Sequence, residues 1–530
     1  MQSELCLHQI FAQQAALRPG APAVSDTIEE LTYRQLEERA ARLAAVILRE
    51  VAGPGARVGL HLTRGNAVVV AILATLKAGC AYVPLDPAYP AERVQYMADD
   101  ASVDLVLTDA DPAAGGTTVP AAKRVVTIDP DLWADDAPRA DEVEVSPQAP
   151  AYVIYTSGSS GTPKGVEVSH ANVTALLDAF DQLVETDSSD VWTLFHSYCF
   201  DFSVGELWGA LAHGAKLVVV PAQAARSPEE MLDLLAAEQV TVLNQVTSAF
   251  RYLSRAATAP GSTAGAKAAQ ALRYVIFGGE VADIDAIREW RQVLGTNTAF
   301  VNVYGITETT VFATGRQLLP AEIDVPIGSP APAGSADPAL NIGPPLDGFE
   351  LAVLTPEGDL TEPGEIGEIY LAGPQLAIGY LNRPELDAER YPVLALPGQE
   401  PRRYYRSGDL VTLRADGALE YAGRADDQVK VNGFRIEIGE VETALRATPG
   451  IGDLVVVPTT SRVGEKMLVA FYTAPDGVGA PDAGLAQRLT EHARAALPAF
   501  MVPGRFVHVP ELPLSPSGKT DKRALAAQLR

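Results

Sequence analysis

The sequence predicts an α/β protein: a large N-terminal domain of parallel-type βα sheets with an added β-rich layer, then a small mobile α+β domain at the C-terminus. Three observations carry this. In the first half, short apolar runs alternate with longer segments whose apolar residues recur at helical spacing. From residue 364 onward the texture changes to short alternating segments, such as 368–371 and 419–421. After the charged, small-residue stretch 423–427 comes a run of about a hundred residues with its own strand and helix signals, enough for a separate domain.

The elements follow in order. Residues 31–33 lead into a helix over 34–50, and 57–62 reads as a strand. A helix over 67–78 is stopped by Gly79, and a strand over 81–84 ends at Pro84. The apolar stretch 68–76 is far short of the ~20 residues that span a bilayer, so it is a core helix. Residues 151–155 form a buried strand, and 165–168 alternate like another. Further strands are expected at 216–220, 240–243 and 272–277. Such βα alternation implies parallel sheets covered by helices. The Ala/Gly/Pro/Ser-rich stretch 328–337 reads as an exposed loop insertion. The expected domains are 1–425 and 426–530, with a hinge at Asp426.

The bulk numbers exclude several functions. The chain has 530 residues, 41 basic and 67 acidic, for a net charge of −26. That balance argues against general nucleic-acid binding and against adhesion to acidic membranes. The three cysteines, Cys6, Cys80 and Cys199, lie far apart, and neither CxxC nor HExxH occurs. A structural zinc is therefore not expected, and the composition fits a reducing cytoplasm. The first twenty residues lack a basic region followed by an apolar core, so no signal peptide is expected.

The most telling segment is 155–166, YTSGSSGTPKGV. Small residues let the backbone approach an anion, hydroxyls donate hydrogen bonds, and Lys164 supplies a cation, so the loop reads as a phosphate cradle. It lacks the GxxxxGK[ST] spacing and runs into a strand rather than a helix, so it is not a Walker A loop. Its glycines are also wrongly spaced for a GxSxG elbow. Three other segments carry chemistry: 302–308, NVYGITE; 405–410, YRSGDL; and 517–519, SGK.

Together and in this order, these segments resemble the adenylation domains of nonribosomal peptide synthetases, within the superfamily of acyl- and aryl-CoA synthetases and luciferases. The resemblance covers almost the whole chain. It extends through LTYRQL (31–36), LKAGCAYVPLD (76–86), FDFSVGELW (200–208), GEIYLAGPQLAIGYL (367–381), GRADDQVKVNGFRIEIGEVE (423–442), LPAFMVP (497–503) and SGKTDKR (517–523). Ile306 stands where proline is usual, Asn432 where a basic residue is common and Ser517 where asparagine is usual; none removes a group the chemistry needs.

The resemblance implies a two-step reaction. An amino-acid carboxylate attacks the α-phosphate of ATP and expels pyrophosphate, and a phosphopantetheine thiol on a carrier protein then takes the aminoacyl group. It further implies that Thr156, Ser157, Gly158, Ser159, Ser160, Gly161, Thr162 and Lys164 hold the phosphates. Thr307 would contact the α-phosphate and Glu308 would ligate Mg2+. Tyr304, Gly305, Tyr421 and the turn Gly278–Gly279–Glu280 would border the adenine, and Asp409 would accept the ribose hydroxyls. Lys519 would bridge substrate carboxylate and phosphate, and Arg424 would be a second cation near the phosphates. Rotation about Asp426 would withdraw Lys519 and bring in residues 431–437, with Gly433 letting the pantetheine arm pass.

For the substrate, the matching segments imply a pocket of Asp201, Phe202, Gly205, Asn244, Ile276, Gly278, Val303, Val311 and Phe312. Asp201 would pair with an α-ammonium. Asn244 is the only polar lining group between the charged ends, which suits a neutral, partly polar amino acid: threonine, or something larger if Gly205 deepens the pocket. Alternatively Phe312 refills that space. An acyl- or aryl-CoA ligase is the rival reading, which Asp201 opposes. A dead binding module is opposed by the presence of Lys519, Glu308 and Asp409. With no carrier-like segment in the sequence, the carrier is expected to act in trans. Residues 382–390, with Ala388 small enough to sit between aromatic rings, resemble the surface that binds MbtH-like proteins.

Overall fold

The computed structural model describes residues 4–110, 118–129, 132, 139–140, 143–158, 161–295, 297–324, 336–426, 428–461, 466–474, 484–513 and 520–529. Two large sheets dominate. One runs Thr314–Gln317, Ala299–Tyr304, Tyr274–Phe277, Val242–Gln245, Val191–Leu194, Lys216–Val219, Pro22–Ser25, Glu30–Thr32. Its interior pairs are parallel and both edge pairs antiparallel. The other runs Gly379–Tyr380, Lys164–Ser169, Pro150–Thr156, Ala81–Pro84, Arg57–His61, Leu105–Thr108, Arg124–Thr127.

The helices between them follow from the sequence. Helix Tyr33–Glu50 is capped by Thr32, whose hydroxyl accepts from the Gln35 N–H, and it buries Leu36, Ala40, Leu43 and Ile47 at helical spacing. Helix Asn66–Lys77 is apolar around most of its surface and is buried accordingly. No helix among the described residues is long and apolar enough to cross a membrane.

One strand is displaced from its expected place. Instead of 240–243 it spans Val242–Gln245. Helix Pro228–Glu238 ends on Gln239 in the left-handed region (φ 51°), and the Val240 N–H still bonds the Leu235 carbonyl. That closing turn uses two residues and puts Asn244 inside the strand, opposite Ile276.

The β-rich layer is a four-stranded antiparallel sheet, Glu350–Leu354, Ile366–Ala372, Tyr405–Leu413 and Leu419–Arg424. Beyond it comes the hairpin Gln428–Val431 and Phe434–Glu437, then the three-stranded sheet Leu454–Thr460, Lys466–Tyr472, Arg505–His508 with helices Ile438–Arg446 and Leu485–Ala496. This C-terminal part has its own core, including Ile436, Val441, Leu445, Val456 and Leu489. Asp426 lies between the last strand of the four-stranded sheet and the hairpin. The 328–337 insertion falls mostly outside the described residues.

Candidate functional site

The site forms where the C-terminal ends of parallel strands from both large sheets meet the four-stranded layer, the usual ligand crevice of open α/β sheets. Strand Pro150–Thr156 turns back antiparallel into Lys164–Ser169, and the glycine-rich loop is the connection. Strand Ala299–Tyr304 leads into the short turn Thr307–Thr309. Ser159, Ser160 and Lys519 lie outside the described residues.

Glu308 is at the centre. It is fully buried, and its Oε1 accepts from the Tyr380 hydroxyl (2.5 Å) with the Lys164 ammonium at 3.5 Å. Its Oε2 accepts from Arg435 Nη1 (3.0 Å). Burial alone would raise this carboxyl, but Arg435 and then Lys164 outweigh it and hold it well below the usual range. Burial pulls Lys164 down to about 8 against the opposing pull of Glu308. Two donors here have no partner among the described residues: Arg435 Nη2 and the Thr156 hydroxyl. Unpartnered buried donors beside a cation suit an anionic ligand. Glu308 is also a hard oxygen donor of the kind Mg2+ takes, although in this arrangement Arg435 occupies one of its oxygens.

Arg435 reaches Glu308 because the hairpin is seated on the phosphate loop. The Ser157 hydroxyl donates to the Arg435 carbonyl (2.9 Å) and accepts from the Glu437 N–H (3.3 Å). The Gly158 N–H donates to Glu440 (3.2 Å), and Glu440 also pairs with Arg93. At the tip, Gly433 (φ 79°) lies against Val246, and a Cβ there would come within 2.2 Å of Val246 Cγ1. Phe434 stacks on Phe500 (4.2 Å between centroids, 7° between planes) and meets Phe200 edge-on (5.2 Å).

Asp409 anchors a second constellation. It is fully buried and accepts from the hydroxyls of Tyr304 (2.7 Å) and Tyr421 (3.3 Å). Arg424, expected as a cation near the phosphates, donates to Asp409 (2.9 Å) and to both oxygens of Asp426 (2.6 and 2.7 Å). The reason is register: Asp409 and Arg424 are cross-strand partners in the four-stranded sheet. A cavity of about 360 Å3 adjoins, lined among others by Gly279, Glu280, Tyr304, Tyr421, Arg424 and Lys430. The Glu280 carboxylate accepts from the Ser248 N–H (2.8 Å).

A smaller cavity, about 80 Å3, holds most of the expected substrate residues: Asp201, Phe202, Gly278, Val303, Val311 and Phe312 line it, with Gly305 and Thr307. Gly278 is required by packing, since a Cβ would fall 2.4 Å from the Phe202 ring. Asp201 is hydrogen-bonded by the Thr307 side chain, and burial raises its carboxyl. Among the described residues no cation lies within ion-pair distance of it. Gly205, Asn244 and Ile276 do not line this cavity. Gly205 does not deepen it, because the Phe312 ring lies 3.1 Å from where its Cβ would be, packed against Phe202 (5.0 Å) and Phe180 (5.2 Å). The Asn244 Nδ2 is buried without a partner among the described residues.

Sequence reasoning missed Tyr380, Lys430 and the Arg435 side chain. Lys430 stands over the Tyr304 ring (5.2 Å) and borders both cavities, with burial pulling its ammonium below the usual lysine range. Tyr380 and Arg435 lie inside segments already singled out, but nothing local says that both reach Glu308.

Comparison with known proteins agrees with this architecture. Residues 11–381 match the AMP-binding enzyme family and 440–519 the AMP-binding enzyme C-terminal domain. The chain is 42% identical to a dimodular nonribosomal peptide synthase of Bacillus subtilis (strain 168), over 98% of its own length and 22% of that protein. Thus it spans about a fifth of that relative. It is 39% identical to syringomycin synthase SyrB1 of Pseudomonas syringae pv. syringae, over 98% of its own length and 81% of that protein. The solved structure of holo-PA1221, an NRPS protein containing adenylation and PCP domains bound to a vinylsulfonamide inhibitor, aligns with a TM-score of 0.83 at 25% identity, covering 99% of this chain and 84% of that one. With both family segments in place and in order, the chain belongs to the AMP-binding enzymes, as an adenylating ligase of the kind found in nonribosomal peptide synthetases.

Proposed function

We propose that the chain activates an α-amino acid as its aminoacyl-AMP and passes the aminoacyl group to the phosphopantetheine thiol of a carrier protein acting in trans. The observation that carries this is Asp201: a buried carboxylate with no cationic partner among the described residues, beside Thr307, in a cavity that also touches Arg435. Leaving such a charge uncompensated is costly, and a substrate ammonium compensates it.

In the first step a substrate carboxylate oxygen attacks the α-phosphorus, and the bond to the pyrophosphate oxygen breaks. Thr156, Lys164 and Thr307 orient the phosphates, Asp409 takes the ribose, and Tyr304 and Tyr421 border the base. Glu308 would hold Mg2+, which offsets phosphate charge. Lys519 adds a cation at the reacting carboxylate. In the second step the thiol sulfur attacks the acyl carbon, AMP leaves, and the thiol proton goes to solvent.

The hairpin seated on the phosphate loop supports reading this arrangement as the one competent for thiol transfer. Adenylation then requires the part beyond Asp426 to swing away, giving domains 1–425 and 426–530. The side-chain pocket favours a neutral amino acid of about threonine size, since Phe312 closes the space that a larger one would need; the partly polar preference expected from Asn244 has no support from this cavity, which Asn244 does not line. A cytoplasmic setting suits three buried free cysteines, and an MbtH-like partner at 382–390 belongs to the same reading.

The test is amino-acid-dependent ATP–pyrophosphate exchange, then acyl transfer to a carrier protein or to free CoA. Exchange with one neutral α-amino acid and transfer to carrier alone is the expected result. Exchange with acids lacking an α-amine, or efficient transfer to free CoA, would replace this reading with a CoA ligase.

A further inference from the structure

Taking the smaller cavity as the substrate pocket, the reading proposed above, we propose that Phe180 sets side-chain specificity by holding the Phe312 ring in place from behind. Phe312 lines that cavity and Phe180 does not, so Phe312 stands between the cavity and Phe180. The two rings are buried, with centroids 5.2 Å apart and planes at 34°. Phe180 touches no substrate; it is a positioning residue that acts through Phe312.

Phe312 depends on its neighbours because only its side chain is free to move. Thr310 and Val311 before it lie in the left-handed region (φ 54° and 72°), and the Phe312 N–H bonds the Thr310 carbonyl (3.0 Å). Ala313 after it donates to the Tyr304 carbonyl (2.8 Å). Gly305 lies against this turn, where a Cβ would fall 2.0 Å from the Val311 carbonyl oxygen and 2.7 Å from Phe312 Cα. With the backbone pinned on both sides, the ring takes the place its packing leaves it. Phe202 meets it edge-on at 5.0 Å and is itself stacked on His196 (4.3 Å, 23°). The buried Glu206 carboxylate accepts from His196 Nδ1 (3.0 Å), so the Phe202 wall is firmly backed. Phe180 is the side on which volume can change without altering a residue that lines the pocket.

Phe180 is itself held. It is the last residue of helix His170–Phe180, and its carbonyl accepts from the N–H groups of Leu183 (2.9 Å) and Val184 (3.0 Å). His213 donates from one nitrogen to the adjoining Asp181 (3.0 Å) and from the other to the Gly209 carbonyl (2.8 Å). Gly209 belongs to helix Phe202–Leu211, which also carries Gly205, so the two helices are fastened beside the pocket. Shortening Phe180 therefore leaves a space that the backbone closes only in part. The Phe312 ring is the neighbour whose torsions let it turn into that space, and the cavity gains what the ring vacates. One methylene in an apolar pocket is worth roughly 10–200-fold in discrimination, so a change of at least about tenfold is expected.

The test is ATP–pyrophosphate exchange with neutral α-amino acids of rising side-chain size and with the same acids lacking the amine. Wild type, Phe180→Leu, Phe180→Ala, Phe312→Ala and the double alanine variant are compared. In Phe180→Ala, kcat/KM for the larger members should rise at least about tenfold relative to the acid that wild type prefers, and Phe180→Leu should shift the same way by less. In the Phe312→Ala background Phe180→Ala should add nothing, because the ring it acts through is gone. If Phe180→Ala fails to fold, the ratio in Phe180→Leu decides. A uniform loss across the series, an unchanged ratio, or equal shifts in both backgrounds overturns the proposal. Exchange confined to acids without the amine would overturn the amino-acid reading, and the size ratio among those acids would still decide the role of Phe180.

Discussion

Replacing Arg435 by alanine should separate the two half-reactions. The guanidinium holds the fully buried Glu308 at 3.0 Å and donates from Nε to Gln428 (2.7 Å). Breaking a buried ion pair by removing one partner costs about 3–5 kcal/mol. Here Lys164 and the Tyr380 hydroxyl stay on the other oxygen, so the lower part, about 3 kcal/mol, is the appropriate figure. The pair spans the contact between hairpin and large domain, so the cost falls on the seated arrangement. At about 1.4 kcal/mol per decade, transfer should slow roughly a hundredfold while adenylation is spared. The assay pairs ATP–pyrophosphate exchange with single-turnover transfer of the aminoacyl group from preformed aminoacyl-AMP to the carrier. Equal loss in both assays, or unchanged transfer, would refute the reasoning.

Four other outcomes are expected. Gly433→Val should block transfer more than exchange, because its Cβ would overlap Val246 and its φ of 79° is strained for a branched residue; equal rates in the transfer assay would contradict this. Asp201→Asn should raise the KM for amino acid by about two orders of magnitude, consistent with roughly 3 kcal/mol for a charge-assisted bond, yet raise the melting temperature by relieving a buried carboxylate. Phe312→Ala should open room for larger side chains in an exchange screen and cost about 3–5 kcal/mol in denaturant unfolding. Lys164, lowered to about 8 when folded, should lose its charge as pH rises through 8, so exchange should decline there and Lys164→Arg should move that limb upward. The sign for stability is opposite: between about 8 and the unfolded lysine range the unfolded chain binds more protons, so the unliganded protein gains stability as pH rises.

Much of this molecule was legible from sequence, and the limits were physical. Helix Tyr33–Glu50 declared itself because burial of one face imposes a period that the residues display, and Asn66–Lys77 because its apolar run is too long for a strand and is stopped by Gly79. The strands on either side of the glycine-rich loop were legible because their signal is local. The protein partners of Arg424 were not legible because they are set by register: the pairing of two strands puts it on Asp409. Arg435 was missed because its contact depends on how two cores dock, and Tyr380 because a hydroxyl inside an apolar segment gives no sign of its direction.

The packing of Phe312 into the space beside Gly205 bears on how specificity is inherited in such pockets. The two positions share one volume, so neither residue has a fixed meaning alone. A bulky residue acquired at 205 without shrinkage at 312 would overfill the core, and shrinkage at 312 alone would leave a void. Exchange of substrate range by stepwise mutation must therefore cross a poorly packed intermediate. Matched pairs of substitutions at 205 and 312 should restore folding that either change alone impairs, and substrate preference should track the combined bulk of the two side chains.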